Sequence, residues 1–156
     1  MQQRYGRARL DKWEVRFLEL AHHISRWSKD PSTQVGCVIV DPTSRRVLSM
    51  GFNGLPAGVE DTAERLENRS IKYEMIVHAE QNALLSISGV NFEHSDLYVT
   101  PLPPCARCAG LIIQAGIGRV ICPRPDRQKK LWIDQARIAE EMFKEASVKL
   151  IYASGS

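Results

Sequence analysis

Long apolar runs, aromatic side chains and a strong excess of either charge are all scarce in this chain. No stretch of its 156 residues approaches the roughly 18 apolar residues of a membrane-spanning helix, and the opening MQQRYGRARLDKWE is charged where a secretory signal carries an apolar core. These absences predict a soluble protein of the cytoplasm. Only four cysteines are present, and in a reducing compartment they argue for thiol or metal chemistry over a disulfide framework. The net charge is a mild +3 and aromatic residues make up 7%. Basic residues cluster only at RYGRAR and PRPDRQKK, so a long nucleic-acid stripe with stacking aromatics is not expected. Internal repeats and low-complexity linkers are missing too. What remains, 44% hydrophobic and 25% charged, predicts one globular domain over residues 1–156 with a core of its own.

Periodicity divides that domain into alternating helices and strands. Asp11 followed by Glu14 reads as a capping box, and Trp13, Phe17, Leu20, Ala21, Ile24 and Trp27 then recur at helical spacing up to the SKDPST turn. Val35–Val40 is an almost continuous β-branched run, joined through DPTSRR to a second strand over Arg46–Phe52. A long polar loop follows from Asn53 to Glu74. Next come a helix over His78–Ile87, a strand over Asp96–Thr100, and a helix opening at Pro104 and ended by Gly116. The strand RVIC, a helix over Leu131–Ala146 and the strand VKLIY complete an α/β class with helices on both faces of a sheet.

Cys105 and Cys108, three apart at a helix start, can direct two thiolates at one ion. His78, at another predicted helix start, is the best third ligand. Three protein ligands leave the fourth position of a zinc ion open, which is the catalytic arrangement. Glu80, close by, suits proton transfer beside such an ion. The alternative is a structural zinc with Cys37 or His94 as fourth ligand. Cys37 and Cys122 fall in apolar strands and read as buried hydrophobes.

His78-Ala79-Glu80 with Pro104-Cys105-Ala106-Arg107-Cys108 resembles the H-x-E…P-C-x-x-C signature of the zinc-dependent cytidine deaminase superfamily. Within it the chain is most similar to the deoxycytidylate (dCMP) deaminase family, through SKDPSTQVG, GFNGLPAG, KYEMIVHAEQNAL and LIIQAGI. Phe52, where these enzymes commonly carry tyrosine, and the segment CPRPDRQKKLWID depart from the pattern. The resemblance implies a three-layer α/β/α fold on a five-stranded mixed sheet, with zinc between the starts of the second and third helices. It also implies that Glu80 moves protons while water replaces the amine of dCMP, giving dUMP for thymidylate synthesis. Asn53 matches an asparagine that in related deaminases contacts sugar or base; otherwise it is a turn residue.

Arg26, Ser28, Lys29 and Thr33 form one candidate phosphate wall, and Arg124, Arg127, Lys129 and Lys130 another. Tyr73 is a candidate pocket residue. Gly51-Phe52-Asn53-Gly54 resembles a regulatory element through which dCTP and dTTP act, and relatives form homo-oligomers, commonly hexamers. Trp13, Trp27 and Trp132 are the apolar groups expected at a subunit interface. Other readings are a deaminase of free nucleosides, guanine or tRNA adenosine, and a non-catalytic zinc-binding interaction module.

Overall fold

A computed structural model describes residues 9–154, which excludes all of the RYGRAR cluster but Arg9. Helix α1 (Lys12–Ser25) is followed by strands β1 (Gly36–Val40) and β2 (Val47–Phe52) and by helices α2 (Ala63–Glu67), α3 (Arg69–Met75) and α4 (Ala79–Leu85). The chain then alternates through β3 (Asp96–Thr100), α5 (Ala106–Gln114), β4 (Arg119–Pro123), α6 (Lys130–Glu145) and β5 (Lys149–Ala153). The five strands form one mixed sheet in the order β2-β1-β3-β4-β5. β1 runs antiparallel to both β2 and β3, whereas β3, β4 and β5 are parallel and joined by the crossover helices α5 and α6.

The sheet lies between two helical layers, as the alternation and the resemblance imply. Val38, Val40, Tyr98, Ile121 and Ile151 face α1, where they meet Phe17, Ala21 and Ile24. Cys37, Ile39, Leu97, Val99, Val120 and Cys122 face α4, α5 and α6, against Ala79, Ala83, Ile112, Ala139 and Phe143. β1 is buried on both faces because helices cover both, which explains why its sequence does not alternate. Two glycines set how closely helices approach. A Cβ on Gly36 would stand 2.0 Å from Ala21 O, and one on Gly51 would stand 2.4 Å from the backbone nitrogen of Ala83. These backbone contacts seat α1 on one face and α4 on the other.

The ends of several elements differ from expectation for local reasons. Asp11 does close a capping box with Glu14, and Gly116 (φ 82°) does end α5, its N–H bonded to Ile113 O and that of Ile117 to Ile112 O. The stretch expected to be loop from Asn53 to Glu74 contains α2 and α3 instead. Both are capped by polar side chains, Thr62 accepting from Arg65 N and Asn68 from Ile71 N, and each is too short to show helical periodicity. The α5 helix begins at Ala106 rather than Pro104, because Cys105 has an extended backbone (ψ 171°) and serves as the N-cap. The α4 helix stops at Leu85, before Ile87, with Ser86 as its C-cap.

Candidate metal centre and cavity

The N-termini of α4 and α5 meet on one side of the sheet. His78 is the N-cap of α4 and Cys105 that of α5, so their side chains extend beyond the helix tips. Because His78 has an extended backbone (ψ 157°), the rule that residues two apart on a helix diverge does not separate it from Glu80. Gln81 fixes the His78 backbone by accepting its N–H at 2.7 Å. Cys108 occupies the third position of α5, and its N–H reaches the Cys105 sulfur at 3.5 Å. Two thiolates thus converge through capping geometry rather than through a shared helical face.

His78 Nδ1 lies 3.3 Å from Cys108 Sγ and 3.6 Å from Cys105 Sγ, and the three ligand atoms all lie within 4.8 Å of one another. Tetrahedral zinc, with Zn–S near 2.3 Å and Zn–N near 2.0–2.1 Å, sets its sulfur and nitrogen ligands about 3.5 Å apart. The donor set fits zinc in spacing and in chemistry. Hydrogen bonds with Cys108 and then with His78 shift the Cys105 thiol downward, toward the thiolate a metal ligand needs. His78 is shifted upward, first by its hydrogen bond with Cys105. Glu80 is 4% exposed, and burial pushes its carboxyl up to about 7.

His78, Glu80 and Cys105 line a cavity of about 670 Å³, a volume suited to a small molecule, with Cys108 buried beside it. Val35, Leu102, Pro103 and Trp132 supply apolar wall. Asp30, Thr33 and Asn53 supply polar wall, and Arg69, Lys72, Lys129 and Lys130 supply positive charge. The family model described as "cytidine and deoxycytidylate deaminase zinc-binding region" matches residues 11–123, which carry the cavity floor and both helix tips. The chain belongs to this family.

Relatives within the zinc-binding deaminases support that placement along most of the chain. An uncharacterized deaminase of Aliivibrio fischeri, from the luxG 3′ region, is 41% identical over 144 residues, 92% of this chain and 95% of that protein. The deoxycytidylate deaminase of Homo sapiens is 34% identical over 142 residues, 88% of this chain and 77% of that one. A dCMP deaminase from the cyanophage S-TIM5, solved in complex with dCMP and dUMP, superposes with a TM-score of 0.73. It is 25% identical, with 93% of this chain and 99% of that one covered.

The structure gathers some of the sequence-derived residues at the cavity and leaves others outside. Glu80, His78, Cys105, Asn53, Thr33 and Tyr73 line it, with Lys129 and Lys130 of the second basic segment. The expected Arg26–Lys29 phosphate wall is not there: Arg26 contacts His23 Nδ1 at 3.0 Å, and Lys29 pairs with Asp61 at 2.8 Å on the surface. Ser28 is buried behind the wall, donating to Asn53 O at 2.8 Å. Arg124 stacks over Tyr152, 5.0 Å from the ring centre, instead of closing over the cavity, and Arg127 is exposed and does not line it either. The segment CPRPDRQKKLWID, where the family pattern breaks, contributes Lys129 to Trp132 to the wall. Sequence reasoning missed Asp30, Arg69 and Lys72. Asp30 and Lys72 fall inside the segments SKDPSTQVG and KYEMIVHAEQNAL that carry the resemblance, which was the signal available for them, whereas Arg69 lies on α3 in a stretch expected to be loop and has no such mark.

Proposed function

We propose that this chain catalyses the hydrolytic deamination of dCMP to dUMP and ammonia as a single domain. The observation that carries the reading is a buried carboxyl, Glu80, beside a three-ligand zinc set at the bottom of a nucleotide-sized cavity with a cationic rim. The cyanophage relative with this fold was solved with both dCMP and dUMP. Zinc, held by His78, Cys105 and Cys108, would supply activation of a water molecule at neutral pH. Glu80 takes a proton from the attacking water and places it on N3 of cytosine, which makes C4 electrophilic. After the oxygen has added to C4, Glu80 takes its remaining proton and passes it to the exocyclic amine, so the C4–N bond breaks, ammonia leaves and C4 keeps a carbonyl oxygen. Burial near pKa 7 suits Glu80 to both directions of transfer. Val35, Leu102 and Pro103 keep bulk water from the reacting end.

Arg69, Lys129 and Lys130 are the exposed cations of the cavity lining and would bind the 5′-phosphate, where Arg26 and Lys29 do not reach. Tyr73, whose hydroxyl accepts from Arg69 Nε at 2.7 Å, orients that guanidinium. Effector control by dCTP and dTTP would act through Gly51–Gly54. Asn82 donates to Phe52 O at 2.7 Å, and Gly54 pairs with Val77 beside His78, so this segment is tied to the helix that carries Glu80. The assembly would be a homo-oligomer, a hexamer by resemblance, with Trp27 and Phe52 at the contact. Four free thiols suit a reducing cytoplasm. Zinc content, measured with deamination rates on dCMP, CMP, deoxycytidine, dCTP and guanine, tests the reading. One zinc per chain and fastest turnover of dCMP are expected, and equal efficiency on deoxycytidine would replace it with a nucleoside deaminase.

A further inference from the structure

The capping geometry that brings Cys105 to the metal centre has a support outside its own helix. At a helix N-terminus the first N–H groups find no partner within the helix. In α5 the N–H of Cys108 reaches the Cys105 sulfur, and that of Ala106, the first helical residue, donates to Gln135 Oε1 at 3.2 Å. Gln135 belongs to α6, 29 residues further along the chain, and the contact is partly buried. A backbone N–H can only donate, so the Gln135 amide turns its oxygen, not its nitrogen, to Ala106.

This bond acts on the peptide unit that follows Cys105. Ahead of Cys105 the chain is held by Pro103 and Pro104, both buried and both with a ring that fixes φ. Behind it, rotation about the Cys105 Cα–C bond, now at ψ 171°, turns the Cys105–Ala106 peptide against the Cys105 side chain. An acceptor fixed on α6 holds that peptide in one direction and with it the extended N-cap conformation. That conformation sends Sγ past the helix tip, 3.6 Å from His78 Nδ1. A different ψ would aim the sulfur elsewhere relative to α5 and to Cys108. Gln135 also follows Trp132 by three positions, which puts both on one face of α6, and Trp132 lines the cavity while Gln135 does not. The helix that closes the cavity wall therefore also holds the tip of the helix that carries the thiolates.

We infer that Gln135 is a positioning residue for the metal centre, its amide oxygen holding the Cys105–Ala106 peptide so that the Cys105 thiolate is aimed at the ion, an inference that rests on the zinc site of the proposed reading. Gln135 reaches the metal only through the backbone of Cys105.

The test measures zinc affinity by competition with a chelator, and the visible spectrum of the cobalt(II)-substituted protein, for the wild type, Gln135→Met and Gln135→Glu, with Tm alongside. Methionine keeps the length and unbranched shape of glutamine and removes the acceptor, whereas glutamate keeps an oxygen at the same reach. Loss of an outer partner of a metal site costs about 10–100-fold in affinity. Gln135→Met should therefore bind zinc about tenfold or more weakly, with a changed thiolate-to-cobalt band, and Gln135→Glu should stay near the wild type in both. A lower Tm with zinc affinity and cobalt spectrum unchanged marks a merely structural contact and overturns the inference. Equal weakening by methionine and glutamate overturns it as well. If the methionine variant does not fold, Gln135→Asn, which withdraws the oxygen by one methylene, should weaken zinc binding, and wild-type affinity there has the same force. A wild type that binds no zinc overturns the inference together with the metal site. None of these readouts needs substrate, so a zinc-loaded wild type inactive on dCMP removes the dCMP reading alone, and the zinc titration still decides on Gln135.

Discussion

Replacing Glu80 by glutamine keeps the shape of a side chain that is 4% exposed and removes its ability to carry a proton. The variant should bind zinc as the wild type does, because Glu80 is outside the ligand set, and turn over dCMP about 10²–10⁴-fold more slowly. Cys105→Ser should instead lose zinc, measured by metal analysis of the purified protein. Substantial turnover by the glutamine variant would show that protons move by another route. At the rim, Arg69→Ala removes a charge-assisted contact worth about 1.5–3 kcal/mol, so KM for dCMP should rise roughly 10–100-fold while deoxycytidine kinetics stay level. An equal change on both substrates would take Arg69 out of the phosphate site. His78 with Glu80, and Cys105 with Cys108, were legible as two short motifs, and the resemblance joined them; that the two motifs, 27 residues apart from His78 to Cys105, meet in space is the work of the fold. The pairing of Lys72 with Asp30 was not legible, since 42 residues separate them and a buried lysine looks in sequence like any surface lysine.

At the scale of elements, two predictions concern how helices attach to the sheet. Gly51→Ala would drive a methyl group against the backbone of α4, 2.4 Å from Ala83 N and 2.6 Å from Ala79 O, and backbone cannot step aside as a side chain can. A loss of about 1–3 kcal/mol is expected, seen as a Tm lower by several degrees, with activity falling too because α4 carries Glu80. A Tm equal to wild type would mean that α4 shifts freely. Asp11→Ala removes the cap whose carboxylate accepts from Trp13 N and Glu14 N, at a cost of about 1 kcal/mol at neutral pH. The Asp11 pKa is lowered, first by the Glu14 backbone bond. Its stabilisation is therefore present above the ordinary aspartate pKa and lost as pH falls through the lower folded value, so the penalty of the alanine variant should shrink below about pH 4 in denaturant titrations. A penalty constant to lower pH would contradict the assignment. The cap was readable from Asp11 and Glu14 alone. The α2 and α3 helices were not, because their caps are single polar residues in a polar stretch.

For the whole molecule, the three tryptophans separate into different roles. Trp13 packs on Phe17 beneath Arg16 and Arg45, and Trp132 lines the cavity. Trp27 remains 51% exposed, edge-on to Phe52 at 6.1 Å. If this pair meets a second copy, light scattering at micromolar concentration should give an oligomer mass, and Trp27→Ser should shift it downward; a monomer throughout the range would reject homo-oligomerisation. The sequence by itself determined the alternation of elements, the β-branched run of β1, the capping box and the two short motifs His78-Ala79-Glu80 and Pro104-Cys105-Ala106-Arg107-Cys108. Each of these depends on residue type at short separation, where backbone geometry leaves few alternatives. Only the tertiary structure decided the rest. It brought Asp30, Asn53 and Lys72 into one wall, kept Lys129 and Lys130 of the two candidate basic walls at the cavity and added Arg69 to them, and made Gly51 a contact point for α4. Those arrangements depend on which distant surfaces the folded sheet and its helices press together, and no local pattern of residues encodes that.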